Sequence, residues 1–245
     1  ITVTEVMIRV EDLYKVYHVG RSRVFALNGV SFEITRGEFV AIVGTSGSGK
    51  STLLNLMAGL EPPTKGQIKI NGRSIVGRRE NELVRFRREH VGFVFQSFNL
   101  ISSMTALENV ALPLTFRGIS RRNRTKLARR LLETAGLSTH LQHKPTELSA
   151  GQQQRVGIAR ALVVGPDIIY ADEPTGNLDS RTSAEIMDLI QSISREKQQT
   201  VVMVTHDEQL AQYADRIFRI MDGKIIAIEQ GSKRHESPRE AGQGA

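Results

Sequence analysis

The first third of the chain has the hydrophobic pattern of β-strands. Apolar and polar residues alternate there or form short apolar runs, and Asn71-Gly72 is a hairpin dipeptide whose two residues need positive φ. The predicted strands are residues 7–12, 24–34, 38–43, 67–70 and 90–95. Between these strands, residues 49–59 are predicted to form a helix.

The pattern changes to helical spacing between about residues 98 and 163. Apolar residues recur there at intervals of three and four positions, which predicts amphipathic helices. These positions are Leu107, Val110, Leu114, Leu127, Leu131, Leu132 and Ala135. The last third returns to alternating elements, with predicted strands at 167–171, 200–205, 216–221 and 224–229 and predicted helices at 183–193 and 208–214.

These patterns predict an α/β fold with a mostly parallel sheet. The early strands predict a small N-terminal antiparallel sheet beside it, and the helical segment indicates a subdomain inserted between two α/β segments. We predict one domain over residues 1–229, with the helical insertion at about 98–163. Residues 230–245 contain no large apolar side chain and are predicted to be a disordered tail.

Charge and composition exclude some kinds of chemistry and favour some kinds of binding partner. The chain has 245 residues, and its 33 Lys and Arg against 26 Asp and Glu give a net charge of +7. A basic balance points to nucleic acid or an anionic membrane surface. The absence of cysteine excludes disulfides, thiolate zinc sites and thiol catalysis. The longest apolar runs are about five residues and a membrane helix needs about 20, so we expect no spanning helix. The start of the sequence shows no charged region followed by an apolar stretch, so we expect no signal peptide.

A glycine-rich loop is the first candidate functional segment. It follows an apolar strand and precedes a helix, which is the context that a phosphate-binding loop requires. The loop consists of Gly44, Thr45, Ser46, Gly47, Ser48, Gly49, Lys50 and Ser51, and Thr52 follows it. Glycines let successive backbone N–H groups face the phosphates, and the helix N-terminus adds partial positive charge. Lys50 can reach the β- and γ-phosphates, and the Ser51 hydroxyl can bind Mg²⁺.

Two acidic residues end a buried strand in the last third. Asp172 and Glu173 follow four apolar residues, 168–171, and ligands bind at this end of the strands in a parallel sheet. Asp172 is placed to hold Mg²⁺, directly or through water. Glu173 is placed to accept a proton from an attacking water.

A third segment, Leu148 to Gln152, precedes a helix and permits two interpretations. Ser149 and Gln152 have the spacing of a capping box, so the segment is compatible with a well-capped helix. Alternatively, Ser149, Gly151 and the helix N-terminus form an anion site. Because it lies about 100 residues from the phosphate loop, such a site would serve a nucleotide held by another subunit.

In their order and spacing, these segments resemble the nucleotide-binding subunit of ATP-binding cassette (ABC) transporters, over roughly residues 7–229. Gly44–Ser51 matches the Walker A loop and Ile168–Asp172 matches the Walker B strand. The resemblance implies a P-loop NTPase core, ATP hydrolysis, and ATP and Mg²⁺ as cofactors. It also implies a dimer that forms on ATP binding, in which each ATP lies between the phosphate loop of one protomer and Ser149–Gly151 of the other.

Further site residues follow from the resemblance by position. Glu173 matches the catalytic glutamate, and Gln96 the Q-loop glutamine that senses Mg²⁺ and the attacking water, so Ser51, Gln96 and Asp172 are the implied metal-binding set. Asp179 matches the D-loop, and His206 the switch histidine that contacts the γ-phosphate. Tyr17 matches the aromatic residue that stacks on adenine.

Three of these assignments have alternatives. A lone histidine at a strand end, such as His206, is more often a satisfied surface or core residue. Tyr14 competes with Tyr17 for the adenine. The family's signature is usually Leu-Ser-Gly-Gly-Gln, and Ala150 stands at its third position here, which is tolerable unless the position needs positive φ. The implied signature residues are Ser149, Ala150, Gly151 and Gln152.

The segments 95–100, 105–110 and 171–179 resemble the lipoprotein-release and macrolide-efflux group. This resemblance implies an integral membrane permease partner and a peripheral position on the cytoplasmic face of the membrane, with export or mechanical work on an extracytoplasmic substrate. The rival class is a soluble ABC ATPase acting on nucleic acid or the ribosome. Such relatives usually carry a long coiled-coil insertion or two cassettes, and this chain shows one Walker A loop and no heptad stretch, so no nucleic-acid partner is expected.

One basic stretch is left over. Residues 117–130 contain seven basic residues and no acidic one. The stretch is compatible with a solvated helix face or with a helix near anionic lipid head groups. Nucleic-acid binding is disfavoured because the stretch has no aromatic residue to stack on bases.

Overall fold

The chain forms two β-sheets and seven α-helices in the computed structural model, which describes residues 5–20 and 22–232. The strands are β1 (Val6–Val19), β2 (Ser22–Thr35), β3 (Phe39–Val43), β4 (Lys65–Ile70), β5 (Arg73–Ser74), β6 (Val91–Phe95), β7 (Ile168–Asp172), β8 (Thr200–Thr205), β9 (Arg216–Met221) and β10 (Lys224–Gln230). The helices are α1 (Lys50–Met57), α2 (Glu80–His90), α3 (Ala106–Phe116), α4 (Arg121–Thr134), α5 (Ala150–Leu162), α6 (Ser180–Glu196) and α7 (Glu208–Ala211).

The smaller sheet is antiparallel, with strand order β2-β1-β4-β5. The larger sheet has the order β10-β9-β3-β8-β7-β6, in which all neighbouring strands except the edge pair β9 and β10 run parallel. The predicted α/β class, with a mostly parallel sheet and a separate antiparallel sheet, is confirmed.

The register of the larger sheet sets the position of the site. Val43 pairs with Thr205, and Asp172 pairs with both Val204 and Phe95. The last residues of β3, β6, β7 and β8 therefore lie side by side at one edge of the sheet. Whatever follows these four strands is brought together, although the residues are far apart in sequence.

Three hydrophobic clusters hold the elements together. One lies between the antiparallel sheet and one face of the larger sheet, where the rings of Phe32 and Phe218 meet edge to face at 5.1 Å. The second lies on the other face under α6, with Ile186 and Ile190 buried. The third joins α3, α4 and α5, including Leu132, and forms a separate helical core.

Several predicted boundaries shift. Helix α2 was not predicted, the helix predicted at 208–214 ends at Ala211, and α6 extends beyond 183–193 at both ends. At the predicted start of the tail, Gln230 still belongs to β10, and the Gly231 N–H donates to the Asp215 carbonyl at 3.0 Å. The rest of that prediction, from residue 233 onward, lies outside the described residues. Within the described ranges, no helix has the length and apolar character needed to cross a bilayer.

Candidate active site

The loop between β3 and α1 is packed too tightly for side chains at its ends. A Cβ at Gly44 would lie 2.3 Å from the Ile220 carbonyl oxygen, and one at Gly49 would lie 2.3 Å from the Ala26 carbonyl oxygen. Gly49 also has φ of 103°, which L side chains rarely adopt. The glycines therefore let the loop pack against neighbouring backbone while it leads into the first turn of α1.

Lys50 lies over its own loop. Its side chain is buried, and its ammonium donates to the carbonyl oxygens of Gly44 at 2.7 Å and Thr45 at 2.9 Å. Helix α1 has no side-chain cap, so its first backbone N–H groups are not covered by an acceptor from the helix's own N-cap. The buried Ser48 hydroxyl also has no hydrogen-bond partner among the described residues. The loop thus combines a cation, free amides and a free hydroxyl.

Asp172 meets this loop from the end of β7. The Ser51 hydroxyl donates to Asp172 Oδ1 at 3.2 Å. Burial raises the pKa of Asp172, and the charge of Glu173 raises it further, while the Ser51 hydrogen bond and Lys50 act in the opposite direction. A hydroxyl oxygen and a carboxylate oxygen at this separation are the donors that Mg²⁺ prefers.

Glu173 is turned out of the strand by a left-handed backbone, with φ of 47°. Its N–H still donates to the Val204 carbonyl at 3.0 Å, so the turn is fixed to β8. The carboxylate is mostly buried and lies 3.0 Å from His206 Nδ1. Because a carboxylate only accepts, Nδ1 carries the proton of this hydrogen bond.

Gln96, after β6, packs against the turn that follows Glu173. Its backbone carbonyl accepts from Asn177 Nδ2 at 3.0 Å, and its side-chain nitrogen lies 3.5 Å from Asn177 Oδ1. A Cβ at Gly176 would lie 2.7 Å from that nitrogen, so the glycine makes room for the glutamine. The end of β6 is thereby coupled to the segment that carries Glu173.

Sequence reasoning missed a buried glutamine at this junction. Gln154 on α5 is fully buried, and its side-chain nitrogen donates to the Phe95 carbonyl at 3.3 Å and to the Pro174 carbonyl. It therefore joins α5 to the end of β6 and to the turn after Glu173. Its signal in the sequence is weak, because it is the last of three consecutive glutamines.

The signature segment lies apart from the phosphate loop. Ser149 and Gln152 form the predicted capping box at the start of α5, with Ser149 N–H donating to Gln152 Oε1 at 2.9 Å. A Cβ at Gly151 would lie 2.7 Å from the Thr182 methyl group, so the segment borders α6. Among the described residues, no hydrogen bond or ion pair joins 149–152 to 44–52. Ala150 does not have positive φ, so its methyl group introduces no backbone strain.

Asp179 serves as the N-cap of α6 beside the signature segment. Its carboxylate accepts from the Thr182 N–H at 3.0 Å and the Thr182 hydroxyl at 2.7 Å. These hydrogen bonds, the backbone one first, lower the pKa of Asp179. Asp179 and Gly151 therefore contact the same side chain, that of Thr182.

The two candidate tyrosines occupy different places. Tyr17 donates to Glu61 Oε2 at 2.8 Å, and its pKa is raised first by burial and then by Glu61, while the hydroxyl of Thr52 on α1 lowers it. Tyr14 instead points toward Gly29 of β2. Tyr17 therefore lies beside the phosphate-loop helix, whereas Tyr14 lies against β2.

A glycine loop between a buried strand and a helix, a lysine closed over it, and a carboxylate pair at the end of a neighbouring parallel strand define a P-loop ATPase site. The sequence pattern of the ABC transporter family matches residues 27–176, and the chain belongs to this family. The predicted resemblance is confirmed.

Curated relatives and a solved structure agree with this assignment. The chain is 45% identical to the lipoprotein-releasing system ATP-binding protein LolD of Geobacter metallireducens, over 90% of this chain and 98% of that protein. It is 46% identical to the macrolide export ATP-binding/permease protein MacB of a Shewanella species, over 93% of this chain but only 35% of that protein. An ATP-binding cassette solved as a dimer in a post-hydrolysis state with ADP and Pi has a TM-score of 0.86 and 44% identity, covering 92% of this chain and 99% of its own.

The chain is therefore an ABC transporter ATP-binding subunit and an ATPase, as predicted. The alternative of a soluble ABC ATPase acting on nucleic acid or the ribosome is not favoured.

Proposed function

We propose that this chain hydrolyses ATP as a dimer and thereby drives a membrane permease. The observation that carries the proposal is the convergence, at one edge of the larger sheet, of a phosphate-binding loop and two carboxylates with separate hydrogen-bond partners. Asp172 faces Ser51, whereas Glu173 faces His206. Two neighbouring acids in different environments suit two different roles.

The nucleotide would be held by the loop and α1. Lys50 exchanges its two backbone acceptors, Gly44 and Thr45, for phosphate oxygens, and the free amides at the start of α1 bind the rest. The Ser51 hydroxyl and the Asp172 carboxylate would hold Mg²⁺, with Gln96 as the third ligand that the family resemblance implies, and the bound ion would neutralise phosphate charge. Tyr17 would contact the adenine.

Hydrolysis would use the second acid. Glu173 would accept a proton from water, and its positive φ turns the chain just after β7, where its carboxylate meets His206. The hydrogen bond between His206 Nδ1 and Glu173 would fix the ring, and Nε2 would have to carry a proton as well in order to donate to the γ-phosphate.

The signature segment would act on the nucleotide of the partner protomer. Ser149 and Ala150 are exposed and Gly151 is half-buried, and the segment has no bonded contact with the loop of its own chain within the described ranges. The helix N-terminus of α5 can accept negative charge. The solved dimeric cassette supports this arrangement by its fold and sequence identity.

The permease would dock in a groove beside the Gln96 segment. The groove has a volume of about 540 Å³ and lies between the larger sheet and the helical core. Its apolar lining includes Phe93, Phe95, Leu112, Pro113 and Phe116. Because Phe95 immediately precedes Gln96, an apolar segment of a membrane protein seated there would move with the site. The name of the MacB relative joins an ATP-binding part to a permease and to export, and the LolD relative is named for a lipoprotein-releasing system, which supports a permease partner. With such a partner, the chain would lie peripherally on the cytoplasmic face and drive export or mechanical work on an extracytoplasmic substrate.

The test is Glu173→Gln, with the exposed Glu133→Gln as a matched control. Loss of a general base lowers the hydrolysis rate by about 10²–10⁴-fold. Since Lys50, Ser51 and Asp172 are unchanged, we expect the variant to bind ATP and elute from gel filtration as a dimer with ATP and as a monomer without it. Adding Ser149→Arg should abolish that dimer.

Parental hydrolysis by Glu173→Gln would remove Glu173 from the mechanism. A variant that stays monomeric with saturating ATP and Mg²⁺ would contradict the two-protomer site.

A further inference from the structure

The basic stretch at residues 117–130 has no part in the active site, and most of its cations lie on α4. Arg117 does not belong to it, because its guanidinium donates to the carbonyls of Arg88, Glu89 and Val164. Arg124 is half-buried and donates to the Ile119 carbonyl, and Arg121 lies close enough to Glu108 to help lower the pKa of that carboxyl. These three cations have local structural partners.

Four cations remain on one side of the helix. Arg122, Lys126, Arg129 and Arg130 follow each other at intervals of four, three and one positions, so they share one face. All four are exposed, and within the described residues none of them forms an ion pair. We call this set the basic face. Ala128 and Leu132 anchor the opposite side of α4 in the helical core.

The charge on this helix is concentrated. Helix α4 carries six basic residues and one acidic residue, Glu133, a net charge of +5 in a chain whose total is +7. Leu127 is 44% exposed beside the basic face. An exposed apolar side chain next to unpaired cations suits contact with a membrane interface.

The basic face is close along the chain to the proposed permease groove. Phe116 and Pro113 line that groove, and only four residues separate the end of α3 from the start of α4. Under the proposed function, a permease seated in the groove would bring a bilayer to the side of the molecule where the groove opens. Because α4 follows the groove-lining end of α3 closely along the chain, we take its basic face as the candidate second contact with that bilayer.

We propose that the basic face binds anionic lipid head groups of the cytoplasmic leaflet directly, as a second membrane contact independent of the permease. The inference rests on the proposed function for the presence of a membrane, but the contact needs neither nucleotide nor permease. The ligand is the phosphate-bearing surface of an anionic bilayer. Arginine and lysine side chains near such a surface each strengthen binding about fivefold.

The test is sedimentation of the nucleotide-free chain with phosphatidylcholine vesicles containing phosphatidylglycerol, at low salt. The variant is Arg122→Gln, Lys126→Gln, Arg129→Gln and Arg130→Gln together. The matched control neutralises four exposed cations elsewhere: Arg23→Gln, Arg73→Gln, Lys197→Gln and Lys224→Gln. We expect the first set to lower the partition coefficient by more than about a hundredfold and the control to change it only slightly.

Other readings of the same assay are decisive. Pure phosphatidylcholine vesicles should not bind the chain, and 1 M salt should release it, because the screening length then falls to about 3 Å. If both variants lost vesicle binding equally, the binding would depend on net charge alone and the proposal would be overturned. Equal binding to neutral vesicles would also overturn it, as would release from anionic vesicles by stoichiometric duplex DNA, which would make nucleic acid the preferred ligand.

The ATPase rate separates this inference from the proposed function. All eight substituted residues lie outside the active site, so both variants should hydrolyse ATP at the parental rate. If Glu173→Gln fails to dimerise while vesicle binding behaves as expected, the proposed function fails and the lipid contact stands.

Discussion

Arg117 offers a quantitative test of how the helical core is attached. The guanidinium follows the end of α3 and donates to Arg88 O at 3.0 Å, Glu89 O at 2.6 Å and Val164 O at 2.6 Å. The first two acceptors end α2, and the third follows α5. One side chain therefore joins three helix ends.

The cost of Arg117→Met can be estimated from these contacts. A hydrogen bond to a charged group contributes about 1.5–3 kcal/mol. Taking the lower value for the two half-buried bonds and nothing for the exposed bond to Arg88 gives a loss of about 3 kcal/mol. For a chain of this size, each kcal/mol lowers Tm by about 2–4 °C, so we expect a decrease of about 6–12 °C.

The measurement is thermal unfolding of the nucleotide-free chain, followed by circular dichroism. Arg122→Met is the matched control, because it removes the same side chain from the exposed surface and should cost no more than about 0.5 kcal/mol. Arg117→Lys should recover less than half of the loss, since one ammonium cannot reach all three carbonyls. Equal Tm values for Arg117→Met and Arg122→Met would refute the reasoning.

Three further predictions concern the phosphate loop and its acid. Lys50→Ala should abolish tight ATP binding in a nucleotide titration, because the phosphates lose their cation; unchanged affinity would exclude the loop from the site. Gly49→Ala should cost about 2 kcal/mol or more in urea unfolding and more than Gly118→Ala, which has positive φ but no atom near the new methyl group; equal costs would show that packing against Ala26 is unimportant. Asp172→Asn should stabilise the nucleotide-free fold at neutral pH, because the folded state raises the pKa of Asp172 above its ordinary value of 3.8. The ionised carboxylate therefore costs stability, which falls as pH rises from the pKa of the unfolded state through that of the folded state. The gain should shrink as pH falls toward 3.8, and a gain independent of pH would contradict this explanation.

The sequence predicted the larger sheet well, because strands such as β3 and β7 are short apolar runs bounded by glycine or an acidic residue. It did not predict α2, and the reason is physical. None of the residues of α2 is fully buried, and its apolar contact with the core is limited to the partly buried Leu83 and Phe86, which is too short a pattern to indicate a helix. Exposed ion pairs one turn apart support it instead, such as Arg78 with Glu82 and Arg85 with Glu89.

The sequence predicted several residues that the structure brings together at the candidate site, but not their geometry. The motif order identified Lys50, Asp172 and Glu173, and their roles stay predictions. No pattern indicated that Glu173 adopts positive φ, since nothing in its side chain requires that conformation. Gln154 was missed because a buried glutamine is recognisable only from its acceptors, and both are backbone carbonyls distant in sequence.

Several side chains attach the helical core to neighbouring segments, and we call these contacts joints. At each joint, the donating and the accepting residue differ in how well they tolerate substitution. At each joint a side chain donates to backbone carbonyls: Arg117 to three, Gln154 to two, and Arg160 to those of Phe98 and Asn99. Any residue offers a carbonyl, so the accepting positions can change side chain without breaking the joint, whereas the donors cannot. In a saturation mutagenesis experiment, the donors should therefore be intolerant, while a position such as Glu89 or Val164 accepts many residues.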